Sequence, residues 1–407
     1  MTVEYRLARI EDMPSVMWAQ SVAFGGSTAT SEIEGSIERT LIRPEWRLCA
    51  FDGGECVAQV VVVPVTMHWN GRAVAAAGVT DVFTLPTHRR RGHLRELMTW
   101  AYRLMREAGQ CVTILEASMA AIYQRFGWSV VYTGLMHDFD PRHLRFVDDV
   151  PVPGRVRLVR RDEARAVIEP VYERYASARM LPMRRGDFEW SAALRLKNTT
   201  RAPFLVAVYE EADAVLGYTI YDVGTMTDRP MGEPDQQITT QEWVWLTPGA
   251  HRGLIQYLSS HDLVGSVRMW GIPLDDPLTY QVEEPRALKV RAYDGALARI
   301  VDVQAALAER GYDRNGRLVL GIEDTYAPWN SGVWELTVDG AAAVRCVSAE
   351  PQIRLTPRVL ALMVSGFQPA SVLARAGLIE CADPAAVAVA DDLFRTARVP
   401  VCLDHWM

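Results

Sequence analysis

The stretch Val82-Phe83-Thr84-Leu85-Pro86-Thr87-His88-Arg89-Arg90-Arg91-Gly92-His93-Leu94-Arg95 constrains this chain more than any other. An apolar strand runs into a tight basic turn, and the turn runs into a helix. The backbone N–H groups of such a turn converge at a helix N-terminus, where the helix dipole also favours negative charge. Gly92 lets the backbone approach a ligand closely, and the arginines add cationic charge. A pyrophosphate is the natural guest. The turn is not a Walker loop, because no Gly-Lys-Ser/Thr follows. The plain alternative is a solvated basic helix start, and the surrounding pattern weighs against it.

Upstream, Trp46 to Val65 reads as two strands around Asp52-Gly53-Gly54-Glu55, a hairpin signal. Ala73 to Thr84 is the strand that delivers the basic turn. Downstream, Leu94, Leu97, Met98, Ala101, Leu104 and Met105 recur at helical spacing, with Gly109 placed to cap the helix. Cys111 to Leu115 reads as the next strand. Ala121-Ile122-Tyr123-Gln124-Arg125-Phe126-Gly127-Trp128 then sets a tyrosine on a short helix before an aromatic-Gly-aromatic turn. A last strand is expected over Val130 to Thr133.

A chain of 407 residues predicts two or three domains. The net charge of −7 excludes nucleic acid as a natural partner and suits cationic substrates. No apolar run reaches the length of a membrane helix and no signal peptide is recognisable, so a cytoplasmic protein with no membrane partner is expected. The six cysteines carry no CxxC and read as buried free thiols. The eight histidines show no metal-ligand spacing, so no metal is expected.

After the linker Val150-Pro151-Val152-Pro153-Gly154 the pattern repeats. A helix is expected over Ala164 to Ala178, with Ile168, Val171, Tyr172 and Tyr175 on one face. A hairpin follows over Pro203 to Val223, then a strand over Ile238 to Leu246. The turn Thr247-Pro248-Gly249-Ala250-His251-Arg252-Gly253 leads to a helix expected over Leu254 to Leu263. This second turn keeps its glycine but only one arginine. The pattern predicts a duplicated α/β (α+β) fold whose second copy has lost most of its phosphate-binding charge. A third unit begins near Pro285. Its helix from Ile300 to Gly311 has Asp302 as its expected N-cap, followed by strands over Arg317 to Ile322, Gly332 to Val338 and Ala343 to Cys346. Helices are expected over Thr356 to Gly366, Pro369 to Ala376 and Pro384 to Phe394. The apolar ending from Val399 to Met407 predicts a tail tucked into protein, since most termini are polar and fray.

The basic turn and the Tyr123…Phe126-Gly127-Trp128 turn resemble the two halves of the acetyl-coenzyme A site of GNAT acyltransferases, and the third unit resembles a sterol-carrier-protein fold. The whole chain is similar to the Eis-type (enhanced intracellular survival) aminoglycoside N-acetyltransferases. That resemblance also rests on Val171-Tyr172-Glu173-Arg174, on Val303 to Tyr312 and on Val399-Pro400-Val401. It implies an active GNAT domain over 1–150, a degenerate GNAT-like domain over 151–285 and a sterol-carrier-like domain over 286–407. It further implies a homohexamer that acetylates small-molecule amines, aminoglycosides among them, with acetyl-coenzyme A.

The resemblance assigns Val82, Phe83 and Thr84 to the pantetheine arm, and Arg90, Arg91, Gly92, His93, Leu94 and Arg95 to the pyrophosphate. Ser118 and Met119 match a further cofactor contact, although better-known members read Ser-Glu-Gly-Gly where this chain reads Ser118-Met119-Ala120-Ala121. Tyr123 matches the general acid, and the terminal carboxylate of Met407 matches the general base. An aromatic end residue is familiar in the family, so Met407 is a departure that leaves the carboxylate itself intact. Asp81, beside the cofactor strand, and Trp406, in the tail, are expected on the acceptor side. Lysine side chains or polyamines are the alternative acceptors. A lipid- or sterol-carrier-like binding protein is the rival from a different class.

Overall fold

The computed structural model describes residues 3–194, 204–225, 234–381 and 383–404. Pro203, Trp406 and Met407 lie outside the described residues.

Among the described residues three sheets carry the fold. The first runs in the order Glu4–Leu7, Arg47–Asp52, Glu55–His68, Ala73–Thr84, Val112–Glu116, Ala296–Ile300, Ser129–Val130. Its long central strand Glu55–His68 is apolar almost throughout because protein covers both of its faces. The helix His93–Glu107 lays Leu97, Met98, Ala101, Tyr102 and Met105 on that sheet. The second sheet runs Arg291–Asp294, Thr133–Phe139, Val264–Ile272, Gln236–Trp245, Ala214–Val223, Leu205–Glu211, Arg155–Val159. The helix Arg161–Ala176 buries the predicted face of Ile168, Val171, Tyr172 and Tyr175. The third sheet pairs Ala341–Cys346, Gly332–Asp339, Gly316–Ile322, Ile353–Leu355 and Glu380–Cys381.

The first two sheets exchange strands. The expected final strand over Val130 to Thr133 is instead divided. Ser129–Val130 stays in the first sheet, and Thr133–Phe139 enters the second. The returning segment does the same in reverse. Arg291–Asp294 pairs with Thr133–Phe139, and Ala296–Ile300 pairs with both Ser129–Val130 and Val112–Glu116. Between them the Val131 N–H donates to the Ala296 carbonyl (2.9 Å) and the Gly295 N–H donates to the Tyr132 carbonyl (3.0 Å). One antiparallel ladder therefore runs out of one sheet and into the other. The third unit docks beside it, with the Trp69 indole N–H donating to the Ala306 carbonyl at 3.0 Å.

Two local expectations need correction. The second helix of the repeat spans Pro248–Leu258, not Leu254 to Leu263. Thr247 caps it by accepting from the Ala250 N–H, and Pro248 occupies its first turn, so the glycine-containing segment is itself helix. The cysteines also divide. Cys49, Cys56, Cys111 and Cys402 are buried, but Cys346 is exposed and Cys381 half-buried, because both lie on edge strands of the third sheet. No helix among the described residues is long and apolar enough to cross a membrane.

Candidate active site

The strands Ala73–Thr84 and Val112–Glu116 pair only from Ala76 to Gly78 and from Val112 to Ile114. Beyond those residues they part, and the gap between them is the site. On one lip the strand bulges. Gln59 faces Phe83 and Val61 faces Thr80, so Asp81 and Val82 together stand against one residue of the neighbour. Asp81 takes a positive φ of 47°, a conformation that a non-glycine residue adopts only when its surroundings enforce it. The enforcing contact is the Gln59 side-chain amide, which donates to the Asp81 carbonyl at 2.9 Å. A bulge leaves ladder hydrogen bonds unmade, which suits a strand whose backbone must also serve a ligand.

Two cavities meet in the gap. The larger, about 770 Å³, is lined by Val82, Phe83, Thr84, Arg90, Gly92, His93, Leu94, Arg95, Ser118, Met119 and Tyr123, among others. The structure thus brings together all but one of the expected cofactor residues. Arg91 is exposed and stands outside the lining. Arg89, His88 and Arg125 line the cavity in addition. The smaller cavity, about 160 Å³, is bordered by Phe24, Asp81, Val82, Glu116, Ser118 and Tyr123, with Val79 and Thr80. Phe24, Val82, Ser118 and Tyr123 face both. Trp406 and Met407 lie outside the described residues.

The turn is built as an anion cradle. Arg90 (φ 63°) and Gly92 (φ 91°) both take left-handed conformations, which curl the backbone inward. A Cβ at Gly92 would meet nothing within 4 Å, so the glycine serves the backbone conformation and the open space beside it. No side chain caps the following helix, whose first intrahelical acceptor, the Gly92 carbonyl, takes the N–H groups of Arg95 and Glu96. The N–H groups of His93 and Leu94 therefore have no acceptor within the helix, as an anion site at a helix start requires. The Tyr5 hydroxyl and His93 Nδ1 are 2.7 Å apart, which fixes the ring. Burial, helped by His88 and Arg91, pulls the His93 pKa below its ordinary value, so its ring is neutral at physiological pH. These residues fit a pyrophosphate. Arg90→Ala is expected to weaken acetyl-coenzyme A binding about tenfold (~1.4 kcal/mol) without lowering the melting temperature, because Arg90 is exposed. Titration calorimetry reads the first effect and thermal unfolding the second.

The second copy makes a contrast. A Cβ at Gly253 would stand 2.7 Å from the Tyr209 ring and 3.1 Å from Val152. The linker that joins the two units packs on this helix end, held by the Gly154 N–H donating to the Tyr209 hydroxyl at 2.8 Å. Where the first turn opens on a cavity, the second is filled by protein.

Tyr123 lies on the helix Ala120–Gln124 and is 9 % exposed. Its ring meets Trp128 edge-on at 6.1 Å, and burial raises its pKa to about 12. The turn behind it is tied down from two sides. The Trp128 indole donates to the Tyr102 hydroxyl (2.7 Å), which donates to the Phe126 carbonyl (3.2 Å). That same carbonyl accepts from Arg299 at 2.6 Å, and Arg299 is held by Asp324 through two contacts of 2.8 Å.

Asp81 meets the buried Arg47 at 3.6 Å, and Arg47 donates to Gln59 at 3.0 Å. Burial pushes the Asp81 carboxyl upward, and Arg47 draws it partly back. Glu116 faces the same small cavity from the other lip and was not anticipated, since a glutamate at a strand end reads as solvated. Nor was Tyr326 of the third unit, which lines the larger cavity and packs on Phe126 at 5.0 Å.

Comparison with known proteins agrees with this geometry. The family described as acetyltransferase (GNAT) domain matches residues 4–131, a second GNAT domain family matches 181–300, and the sterol carrier protein domain matches 303–403. The chain is 31% identical to an uncharacterized N-acetyltransferase of Streptomyces avermitilis over 420 residues, covering 98% of both. It is 29% identical to N-acetyltransferase Eis of Mycobacterium tuberculosis over 424 residues, again 98% of both. The crystal structure of Eis1 from Mycobacterium abscessus superposes with a TM-score of 0.82 at 26% identity, covering 99% of each chain. Two GNAT units, one whose basic turn opens on a cavity and one whose turn is filled, followed by a sterol-carrier-like unit, make this chain a member of the Eis-type GNAT N-acetyltransferases, enzymes that use acetyl-coenzyme A.

Proposed function

We propose that this enzyme transfers the acetyl group of acetyl-coenzyme A to amines of small polycationic acceptors such as aminoglycosides. The observation that carries this reading is the junction of the two cavities. Tyr123 stands between a cradle rich in arginine and a small pocket bordered by two carboxylates, Asp81 and Glu116. An arginine-lined cavity suits a pyrophosphate, and a carboxylate-lined one suits an ammonium.

An alkylammonium must lose its proton before its nitrogen can attack a thioester. On this reading the terminal carboxylate of Met407 accepts that proton, directly or through a water. The backbone at the Val82 bulge receives the developing oxyanion, and the C–S bond then breaks. Tyr123 faces the departing sulfur. Its hydroxyl is held near 12, whereas a thiol titrates at about 8.5. Tyr123 therefore steadies the thiolate chiefly by donating a hydrogen bond, and the proton shed by the amine balances the reaction. His93, Arg90 and Arg95 hold the phosphates at the far end of the cavity. The family resemblance carries a homohexameric, cytoplasmic assembly with this reading.

Thiol release from acetyl-coenzyme A tests the acceptor class across aminoglycosides, polyamines and lysine peptides. Aminoglycosides are expected to give the highest kcat/KM. Asp81→Asn is expected to raise the acceptor KM about tenfold while leaving acetyl-coenzyme A affinity unchanged. Turnover confined to lysine peptides would replace the small-molecule reading.

A further inference from the structure

The turn that carries Tyr123 is held from outside its own unit. The Phe126 N–H donates to the Tyr123 carbonyl at 2.8 Å, and the Trp128 N–H donates to the same carbonyl at 3.4 Å. The Phe126 carbonyl in turn accepts from Arg299, which stands on the returning strand Ala296–Ile300 with its guanidinium over the Tyr102 ring at 4.3 Å. The other end of that guanidinium meets both oxygens of Asp324 at 2.8 Å, and both side chains are buried. Asp324 belongs to the sterol-carrier-like unit. Its carboxylate also accepts from the Asn330 side chain at 3.1 Å and from the N–H groups of Tyr326 and Ala327 at 3.2 and 3.0 Å. From the same unit, Arg358 donates to the side chain of Gln124, the residue next to Tyr123, at 3.3 Å.

Packing alone does not call for this pair. A buried cation against a buried carboxylate is costly to desolvate, and apolar side chains of similar volume hold protein together as well or better. What the pair provides is direction. The guanidinium is a planar fork with donors at fixed angles, so it can span the Asp324 carboxylate and the Phe126 carbonyl in one orientation. Asp324 is itself fixed, because four donors converge on it. Tyr123 needs such support. Its helix, Ala120–Gln124, has only five residues, far too few to hold itself without tertiary contacts.

We infer that Arg299 and Asp324 are positioning residues for acetyl transfer: Asp324 aims Arg299 at the Phe126 carbonyl, and that contact fixes the turn that sets the Tyr123 hydroxyl at the junction of the two cavities. The inference rests on the proposed role of that hydroxyl. It gives the sterol-carrier-like unit a part in the chemistry of the first unit, through a carboxylate that touches neither acceptor nor cofactor.

A double-mutant cycle with Tyr123→Phe tests it. Asp324→Asn keeps the size of the side chain and an oxygen for the Tyr326 and Ala327 N–H groups. It removes the charge that holds Arg299 and replaces the oxygen that Arg299 shares with Asn330. The substitution lowers the melting temperature whether or not the pair acts on Tyr123, so kcat is measured on folded enzyme well below unfolding. Asp324→Asn is expected to lower kcat about 10- to 100-fold, the cost of misplacing a reacting group by about 1 Å, with acetyl-coenzyme A affinity unchanged in titration calorimetry. In the Tyr123→Phe enzyme the same substitution is expected to change kcat less than about twofold, because the hydroxyl it positions is gone. Parental kcat in Asp324→Asn, or an equal loss in both backgrounds, overturns the positioning role while leaving that of Tyr123 in place. Parental kcat in Tyr123→Phe alone removes the reading of the hydroxyl, and this inference with it. Should Asp324→Asn not fold, Arg299→Lys carries the same cycle with the same outcomes, since an ammonium keeps the charge beside Asp324 but not the fork that spans both partners.

Discussion

Tyr123→Phe is expected to lower kcat about 100-fold or more while changing acetyl-coenzyme A affinity by less than about threefold. The substitution removes one oxygen. The ring keeps its edge-on contact with Trp128, and no neighbouring side chain loses room, so the melting temperature stays put. On the proposed mechanism the loss falls on the departing thiolate, which forfeits a hydrogen bond that strengthens as charge builds on sulfur. The pH profile separates this role from a simple packing one. Because burial raises the Tyr123 hydroxyl to about 12, the parent enzyme should show no alkaline limb from this group below pH ~11. A Tyr123→Phe enzyme with parental kcat would take the residue out of the chemistry. An alkaline limb near pH 9 that disappears in the variant would mean that the hydroxyl titrates far more easily than its burial implies.

Gly127→Ala is the substitution expected to damage the fold most for its size. Gly127 has φ 89°, and a Cβ there would stand 1.8 Å from the Arg299 guanidinium. The left-handed backbone alone costs about 1–2 kcal/mol for alanine. The larger cost comes from Arg299, whose guanidinium must leave the Phe126 carbonyl or the Asp324 carboxylate. Breaking a buried pair of that kind costs about 3–5 kcal/mol. Gly92→Ala is the control. Its φ of 91° imposes nearly the same backbone strain, but nothing lies within 4 Å of the new methyl group. Denaturant titration should therefore place Gly127→Ala about 4–7 kcal/mol below the parent and Gly92→Ala within about 2 kcal/mol. Equal losses at the two positions would show that backbone strain, not the Arg299 contact, governs both.

What could be read from the chain was what is local. The hairpin around Asp52-Gly53-Gly54-Glu55, the strand Ala73–Thr84 and the amphipathic helix after Gly92 follow from turn chemistry and periodicity, and they stand where those signals put them. The cofactor residues are contiguous in sequence, so finding the turn found most of them. The strand exchange was not legible, because alternating apolar residues at 129–139 and 291–300 say that each segment pairs but not with which sheet. The start of the second helix was legible, in Thr247-Pro248, an N-cap followed by a first-turn proline. The likeness of that segment to the first turn masks the signal. Glu116 and Tyr326 could not have been found from their own neighbourhoods. They matter because of what the fold sets beside them, one across a gap between diverging strands and the other from a unit some two hundred residues further on.

The ladder that passes between the two sheets also sets a schedule for the enzyme's birth. Val112–Glu116 forms one wall of the site, and its ladder partner on the far side is Ala296–Ile300. At translation rates of about 5–20 residues per second, that partner leaves the ribosome roughly 9–37 s after the strand that waits for it. During that interval the catalytic sheet has an open edge, with Arg299 not yet beneath the Phe126-Gly127-Trp128 turn. A chain arrested between Tyr123 and Ala296 carries the basic turn and Tyr123, yet lacks the strand that closes their sheet.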